Sequence, residues 1–268
     1  MCKEYKLGVI GAGFMSTAII KGVINSSVLL PKNIIVSDPN QIALDNISKL
    51  GVSVSKDNAS VVNGAEYVLF AVKPQSLNDV LLGIKDCCCD RFISIMAGVK
   101  KEKIKKVFPN ALVARCMPNT PCAIGCGAVG LDLSDFTDEE EKMFVKSLLS
   151  AISEVVCVDE DKLNAVTGVS GSAPAYFYLF LKGIIDAGQE YGLTYEQSKS
   201  LATATMIGAG KMVELNSDKS IDELINAVCS KGGTTIEAIN VFNSGNLNDL
   251  TKKAIDACIK RSEELEKL

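Results

Sequence analysis

The chain has 268 residues, enough for one large or two ordinary domains, and a net charge of −4 with both signs spread along its length. This spread excludes the basic field expected of a protein that binds nucleic acid or an anionic membrane. The most apolar segment, residues 173–181, is too short to span a bilayer. Histidine is absent and the ten cysteines show neither metal-ligand nor disulfide-framework spacing, so we expect no metal, reduced thiols and a cytoplasmic protein.

The first predicted elements are a strand, a glycine loop and a helix. A short apolar run at 6–10 is followed by G-x-G-x-x-S at 11–16, and a second strand at 33–37 completes a βα-β pattern. In this setting Gly11 permits the tight turn and Gly13 admits a pyrophosphate to the helix N-terminus. The pattern predicts a dinucleotide-binding loop; a tight turn without a ligand is the alternative.

Strands and helices keep alternating to about residue 158. The predicted elements are a helix over 41–50, strands over 67–72, 91–95 and 111–115, a helix to about 151 opened by a Thr137/Glu140 capping box, and a strand over 155–158. This alternation predicts an α/β fold whose first domain, residues 1–158, is a Rossmann-type doubly wound parallel sheet. Its ligands should bind beyond the carboxyl ends of the strands.

From residue 159 the pattern changes to consecutive helices, which predicts an all-helical domain over 159–268. The helices expected are 161–169, 174–191, one from a Thr194/Gln197 capping box to about 215, one from a Ser220/Glu223 capping box, one at Thr234, and a terminal helix from about 247. Several faces of these helices are apolar, so we expect at least a homodimer. The alternative is that these faces pack on each other within one chain.

The stretch Ser230–Thr235 places two glycines and two threonines at the start of a predicted helix. Such a start leaves backbone N–H groups unpaired, and the glycines let a ligand approach closely. The residues therefore suit a small carboxylate. An ordinary Ser/Thr N-cap after a turn is the alternative.

Five segments in this order resemble pyrroline-5-carboxylate reductase over nearly the whole chain. They are Gly8–Met15, Ala71–Gln75, Met117–Pro121, Gly168–Tyr176 and Ser230–Thr235. The resemblance implies an oxidoreductase that reduces the cyclic imine 1-pyrroline-5-carboxylate to proline, the last step of proline biosynthesis, with hydride from NADPH or NADH. It also implies a helical domain that interlocks with a second subunit. Lys231 departs from the family, which usually has proline there, and this puts the rigidity of the loop in doubt.

The resemblance also implies roles for residues of the substrate site. Backbone N–H groups of Gly233, Thr234 and Thr235, helped by Ser230, would hold the substrate carboxylate. The Thr235 hydroxyl would bond the imine nitrogen and assist its protonation, and Lys73 would add charge unless it is an ordinary solvated lysine. The substrate-binding residues implied are Ser230, Gly232, Gly233, Thr234 and Thr235.

The residues expected to hold the cofactor lie near the carboxyl ends of the strands. They are Gly11, Gly13, Phe14, Met15, Ser16, Ser37, Asp38, Asn58, Ala71, Val72, Lys73, Pro74, Ala97 and Gly98. Asp38 is of the type that accepts from the ribose 2′-hydroxyl of NADH. The resemblance implies frequent use of NADPH, whose 2′-phosphate would be bound by Ser37 and, by its motif position, by Asn58. We expect dual use with NADH narrowly favoured, unless Asp38 only caps the next helix.

Two other functions remain open from the sequence. A β-hydroxyacid dehydrogenase shares the two-domain plan and the Gly168-x-x-Gly171-x-Ala173 pattern, but here the residues that follow read as helix core. A non-catalytic dinucleotide sensor is the other alternative. The polar cluster around Thr234 argues against it.

Overall fold

The computed structural model describes residues 3–267. By internal contacts the chain divides into two compact units, one of Met1–Ser172 with Cys258–Leu268 and one of Ala173–Ala257. The predicted boundary after residue 158 differs from this contact-based division and stays a prediction.

The first unit is built on an eight-stranded sheet in the order β3-β2-β1-β4-β5-β6-β7-β8. The strands are β1 (Tyr5–Ile10), β2 (Ile34–Ser37), β3 (Ser53–Ser55), β4 (Ala65–Phe70), β5 (Arg91–Ser94), β6 (Leu112–Met117), β7 (Gly127–Asp132) and β8 (Ser153–Cys157). Neighbouring strands are parallel except for β6 and β7, which pair antiparallel. The doubly wound, mainly parallel sheet is confirmed, and β7 is an addition that the sequence pattern did not predict.

Both faces of the sheet are buried. Along β4, Tyr67 and Leu69 enter one apolar cluster while Val68 and Phe70 enter another, because successive side chains of a strand point to opposite faces. The helices of this unit are α1 (Phe14–Asn25), α2 (Gln41–Ser48), α3 (Asn58–Gly64), α4 (Leu77–Ile84), α5 (Lys101–Lys105), α6 (Glu139–Ser150) and α7 (Leu163–Val166).

Two helix predictions in this unit need correction. The N-cap of α6 is Asp138, whose carboxylate accepts from the N–H groups of Glu140 and Glu141, so Thr137 is not the cap. Aspartate is a better N-cap than threonine, and it adds a negative charge near the helix N-terminus. The helix predicted over 161–169 is instead a short 3-10 turn, α7 and a π-helical turn at Thr167–Gly171.

The second unit is helical. It contains α8 (Ala173–Glu190), α9 (Tyr195–Leu215), α10 (Ile221–Val228), α11 (Thr234–Ser244) and the first part of α12 (Leu247–Glu266). The predicted capping boxes of α9 and α10 are confirmed, each with both reciprocal hydrogen bonds. Across residues 3–267, no helix has the length and hydropathy needed to cross a lipid bilayer.

Candidate functional site

The glycine loop follows β1 directly and leads into α1. Gly11 is buried with φ of +106°, and a β-carbon there would lie 2.6 Å from the carbonyl oxygen of Ala71, so the position requires glycine. Gly13 faces open space and is the N-cap of α1, whose first turn has neither a side-chain cap nor an acidic residue. Room and unpaired N–H donors together are the geometry that a pyrophosphate requires.

The first turn of α1 presents the other residues predicted in this loop. Phe14 is exposed and Met15 is half-buried. Ser16 is buried, and its hydroxyl donates to the carbonyl of Gly13 at 3.1 Å. Ser16 therefore stabilises the loop from inside, because its small side chain lets the helix start pack closely.

The side chain of Asp38 forms a hydrogen bond with the backbone of the glycine loop. Its Oδ2 accepts from the N–H of Ala12 at 2.7 Å, and its Oδ1 accepts from the N–H of Asn40 at 2.8 Å. The N-cap of α2 is Asn40, whose side chain accepts from Ile42 and Ala43. The alternative that Asp38 caps this helix is therefore wrong. The carboxylate instead turns towards the loop, and its oxygens retain lone pairs for a ribose hydroxyl.

Ser37 and Asn58, the two candidates for binding a 2′-phosphate, lie together. Ser37 is fully buried, and its hydroxyl donates to Oδ1 of Asn58 at 2.7 Å. Within residues 3–267 the amide nitrogen of Asn58 makes no hydrogen bond. Ser37 thus holds Asn58 in place, and Asn58 is the member of the pair with a donor left for a ligand.

The remaining predicted cofactor residues follow β4 and β5. The N–H of Ala71 donates to the carbonyl of Ile10 at 2.9 Å, which keeps this loop beside the glycine loop. Lys73 is exposed and forms no ion pair with the described residues. Ala97 is exposed, and Gly98 beside it has φ of +68°. Two half-buried residues complete the set, Val72 and Pro74.

Asn119 connects two motifs that are far apart in the sequence. Its Nδ2 donates to the carbonyl and hydroxyl oxygens of Ser170, both at 3.4 Å, and its Oδ1 accepts from the N–H of Ala128 at 3.0 Å. Gly171 lies against Met117, whose Cε would be 2.7 Å from a β-carbon there. Ser170 and Gly171 belong to the π-helical turn, a distortion frequent at functional sites. Both segments were recognised as motifs, but neither pattern shows that they touch.

In the second unit, residues 230–233 form a tight turn between α10 and α11. The N–H of Gly233 donates to the carbonyl of Ser230 at 2.9 Å, and Gly232 has φ of +70°, as the third position of a type II turn requires. Lys231 occupies the second position, where proline is favoured. The turn forms with lysine, which has more backbone freedom than proline in the unfolded chain.

The start of α11 carries unpaired donors. Gly233 is its N-cap and no side chain caps the first turn, so the alternative of an ordinary Ser/Thr cap is wrong. The N–H of Gly233 was expected to hold the carboxylate, but it is paired within the turn, so only the N–H groups of Thr234 and Thr235 of that set remain available. The Thr235 hydroxyl makes no hydrogen bond within residues 3–267. Two N–H donors and nearby hydroxyls at a helix N-terminus suit a small anion such as a carboxylate.

The thiols near the Met117–Pro121 loop are not activated. Burial raises the pKa of the Cys116 thiol, and burial also raises that of Cys122 against the opposing hydrogen bond with Asn119. Both thiols therefore stay protonated at neutral pH. All nine cysteines between residues 3 and 267 are free, and no group of His, Cys, Asp or Glu in that range could hold a metal ion.

The doubly wound sheet and its open glycine loop define the class of protein as a dinucleotide-binding protein. Comparisons with known proteins agree. Residues 6–98 match the family described as NADP oxidoreductase, coenzyme F420-dependent, and residues 160–265 match pyrroline-5-carboxylate reductase dimerisation. The pyrroline-5-carboxylate reductase of Haemophilus influenzae is 37% identical, over 99% of this chain and 99% of that protein.

Solved structures give the same result. The pyrroline-5-carboxylate reductase from Coxiella burnetii matches with a TM-score of 0.92 and 33% identity, over 99% of this chain and 100% of that one. The Plasmodium falciparum pyrroline carboxylate reductase with NADP bound matches with a TM-score of 0.85 and 26% identity, over 99% and 100%. The chain belongs to the pyrroline-5-carboxylate reductase family.

Proposed function

We propose that this chain binds the carboxylate of 1-pyrroline-5-carboxylate at the start of α11 and the ring nitrogen at Thr235. The overall reaction follows from the family: the protein is an NAD(P)H-dependent oxidoreductase that acts on a CH–NH bond and reduces the cyclic imine to proline in proline biosynthesis. The relatives that match nearly the full chain are named pyrroline-5-carboxylate reductase. The two alternative functions, a β-hydroxyacid dehydrogenase and a non-catalytic sensor, are therefore not favoured.

The residues at the sheet edge fit NADPH or NADH. Bound there, the nicotinamide supplies the hydride. Gly11 and Gly13 let the pyrophosphate approach the backbone, and the N-terminus of α1 compensates its charge. Asp38 and Asn58 lie where the adenosine ribose is expected, one as an acceptor for a hydroxyl and one as a donor to a phosphate. We propose use of both cofactors with NADH favoured, because Asp38 repels a 2′-phosphate.

The substrate residues need only orient the imine and stabilise charge. The N–H groups of Thr234 and Thr235 hold the carboxylate, with the Ser230 hydroxyl beside them. The Thr235 hydroxyl hydrogen-bonds the ring nitrogen, which must be protonated for the carbon to accept hydride. No strong protein base is required, which agrees with a chain that has no histidine. The unpaired donors at the start of α11 are the single observation that carries this proposal.

The proposal also concerns domain roles and location. Residues 1–158 would bind the cofactor, and residues 159–268 would carry the substrate loop and the subunit interface. The two family matches, over 6–98 and 160–265, support this division. The free cysteines support a reducing compartment, and we propose the cytoplasm.

Substitution of Thr235 tests the substrate site. Thr235→Ala should lower kcat about 5- to 150-fold, because a buried hydrogen bond to the reacting nitrogen is worth ~1–3 kcal/mol. Thr235→Ser keeps the hydroxyl and should retain much of the activity. Steady-state kinetics with saturating cofactor measures both variants. Wild-type rates in a folded alanine variant would remove Thr235 from the mechanism.

A further inference from the structure

A buried ion-pair network joins the last turn of α12 to the sheet of the first unit. Arg115 on β6 has a side chain only 4% exposed, and its Nη2 lies 2.8 Å from Oε1 of Glu266, itself 8% exposed. Its Nη1 lies 3.3 Å from Glu160. The other oxygen of Glu266 lies 3.5 Å from Nζ of Lys100. Glu266 therefore bridges β6 to the segment that follows β5.

The charge on Glu266 is stabilised where it lies. Burial alone would raise the pKa of its carboxyl, but the hydrogen bond and charge of Arg115, together with Asn164 and Lys100, bring the pKa below its usual value. The carboxylate thus stays ionised at neutral pH. A buried ion pair of this kind loses much when one partner is removed, because the other charge is left uncompensated.

The same turn of α12 lies directly against Gly98. A β-carbon on Gly98 would be 3.0 Å from Cβ of Leu265 and 3.5 Å from the backbone nitrogen of Glu266. Two further contacts fix this end of the helix: Ser262 donates to Asn164 at 2.6 Å, and the Cys258 thiol lies 3.2 Å from the Ser172 hydroxyl. The close approach depends on glycine, since any side chain would push the helix or the loop away.

Gly98 belongs to the loop that follows the carboxyl end of β5, whereas Asp38 follows the carboxyl end of β2. Both therefore lie at the sheet edge where the cofactor is expected. Three strand spacings separate β2 from β5 in the order β2-β1-β4-β5, which is about 14 Å at ~4.8 Å per strand. A dinucleotide whose adenosine ribose lies at β2 extends along this edge, and its reactive end reaches the β4 and β5 loops.

We propose that Leu265 and Glu266 are positioning residues for the cofactor, which act by holding the Ala97–Lys100 loop in its binding geometry. This inference rests on the proposed role of Ala97 and Gly98 in cofactor binding. Both residues of α12 would act through the loop and not by contact with the substrate. Leu265 supports the loop by packing on Gly98, and Glu266 ties Lys100 to the rigid strand β6.

The test compares Glu266→Gln with Glu264→Gln, a control on the same helix whose partner, Arg261, is on the surface. We expect Glu266→Gln to raise the KM and the directly titrated Kd for NADH and NADPH about 3- to 10-fold, with the KM for the imine unchanged. Glu264→Gln should match wild type. A lower Tm of Glu266→Gln with unchanged cofactor KM and Kd would overturn the proposal, because it would show a purely structural role.

A second set of variants keeps the proposal testable if Glu266→Gln fails to fold. Gly98→Ala should raise the cofactor KM, and adding Leu265→Gly should restore part of the loss, because it removes the Cβ that the new methyl group would meet. If Gly98→Ala raises the cofactor KM but Leu265→Gly neither rescues it nor acts alone, the positioning role is refuted while the cofactor site stands. If no variant at Gly98, Leu265 or Glu266 changes cofactor binding, the proposed role of the loop fails with it.

Discussion

At the scale of single residues, Asp38 has one role that the structure shows, in the glycine loop, and one that we propose, at the cofactor ribose. One carboxylate oxygen accepts from the N–H of Ala12, so the side chain shapes the glycine loop. Its charge lies at the end of β2, where it favours a ribose hydroxyl over a phosphate. A single substitution can therefore change affinity for both cofactors as well as the preference between them.

Two variants of Asp38 separate the roles. Asp38→Asn removes the charge and keeps one acceptor oxygen, which can still serve the N–H of Ala12 at the loss of the bond from Asn40. The NADPH/NADH ratio of kcat/KM should therefore rise, while the sum of the two kcat/KM values changes little. Asp38→Ser should raise the same ratio and also cost about fivefold with both cofactors, because a hydrogen bond of ~1 kcal/mol is lost. The measurement is kcat/KM for each cofactor. An unchanged ratio in both variants would show that Asp38 does not read the ribose.

At the scale of elements, the packing of α1 depends on a glycine that no motif requires. A β-carbon at Gly22 would collide with the side chain of Ile152 and lie 3.1 Å from the carbonyl oxygen of Ala151, at the corner between α6 and β8. Since α1 also carries the N-terminus that we propose faces the pyrophosphate, this contact fixes the helix on which the proposed cofactor loop depends.

A matched pair of glycine substitutions tests this packing. Gly22→Ala should destabilise the protein by ~1–3 kcal/mol through overpacking. Gly83→Ala in α4, where nothing lies within 4 Å of the new β-carbon, should stabilise it by up to ~1 kcal/mol because alanine favours the helix. Denaturant unfolding measures both. Equal effects of the two substitutions would contradict the packing at Gly22.

At the scale of the whole molecule, the second unit exposes large apolar side chains that one chain does not cover. Phe177 is 57% exposed and Leu179 is 72% exposed on α8, and Leu201 on α9 is similarly exposed. A surface of this kind indicates a protein interface. The match of residues 160–265 to the family's dimerisation region agrees, and the protein is a homo-oligomer. The alternative that these faces cover each other within one chain is not favoured.

Charge placed on α8 should disrupt this association. Leu179→Asp should shift the protein towards monomer and lower its Tm, because a buried charge at an apolar interface is costly. Leu82→Asp on α4 is the control, since Leu82 is 67% exposed in the first unit. Sedimentation velocity at the enzyme's working concentration distinguishes the outcomes. An assembled, active Leu179→Asp variant would place the interface elsewhere.

The local patterns in the sequence were sufficient for the main elements and for the positions of the two glycine-containing loops. The apolar runs, the glycine spacing at 11–13 and the two capping boxes act over a few residues, so they are readable without a structure. The pattern missed two strands, β3 and β7, and three helices, α3, α4 and α5; each of these elements has between three and eight residues. Elements this short carry too little periodicity to be recognised.

By itself the sequence determined the doubly wound sheet, the helical second half and the two helix N-termini that suit a pyrophosphate and a carboxylate. Only the tertiary structure decided which way Asp38 turns, that Asn119 meets Ser170, and that Glu266 reaches Arg115 across 151 residues of sequence. Helix starts and turns are set by neighbouring residues. Buried polar contacts between distant segments depend instead on how the elements pack, because a polar group removed from water must find whatever partner the fold brings within hydrogen-bond distance.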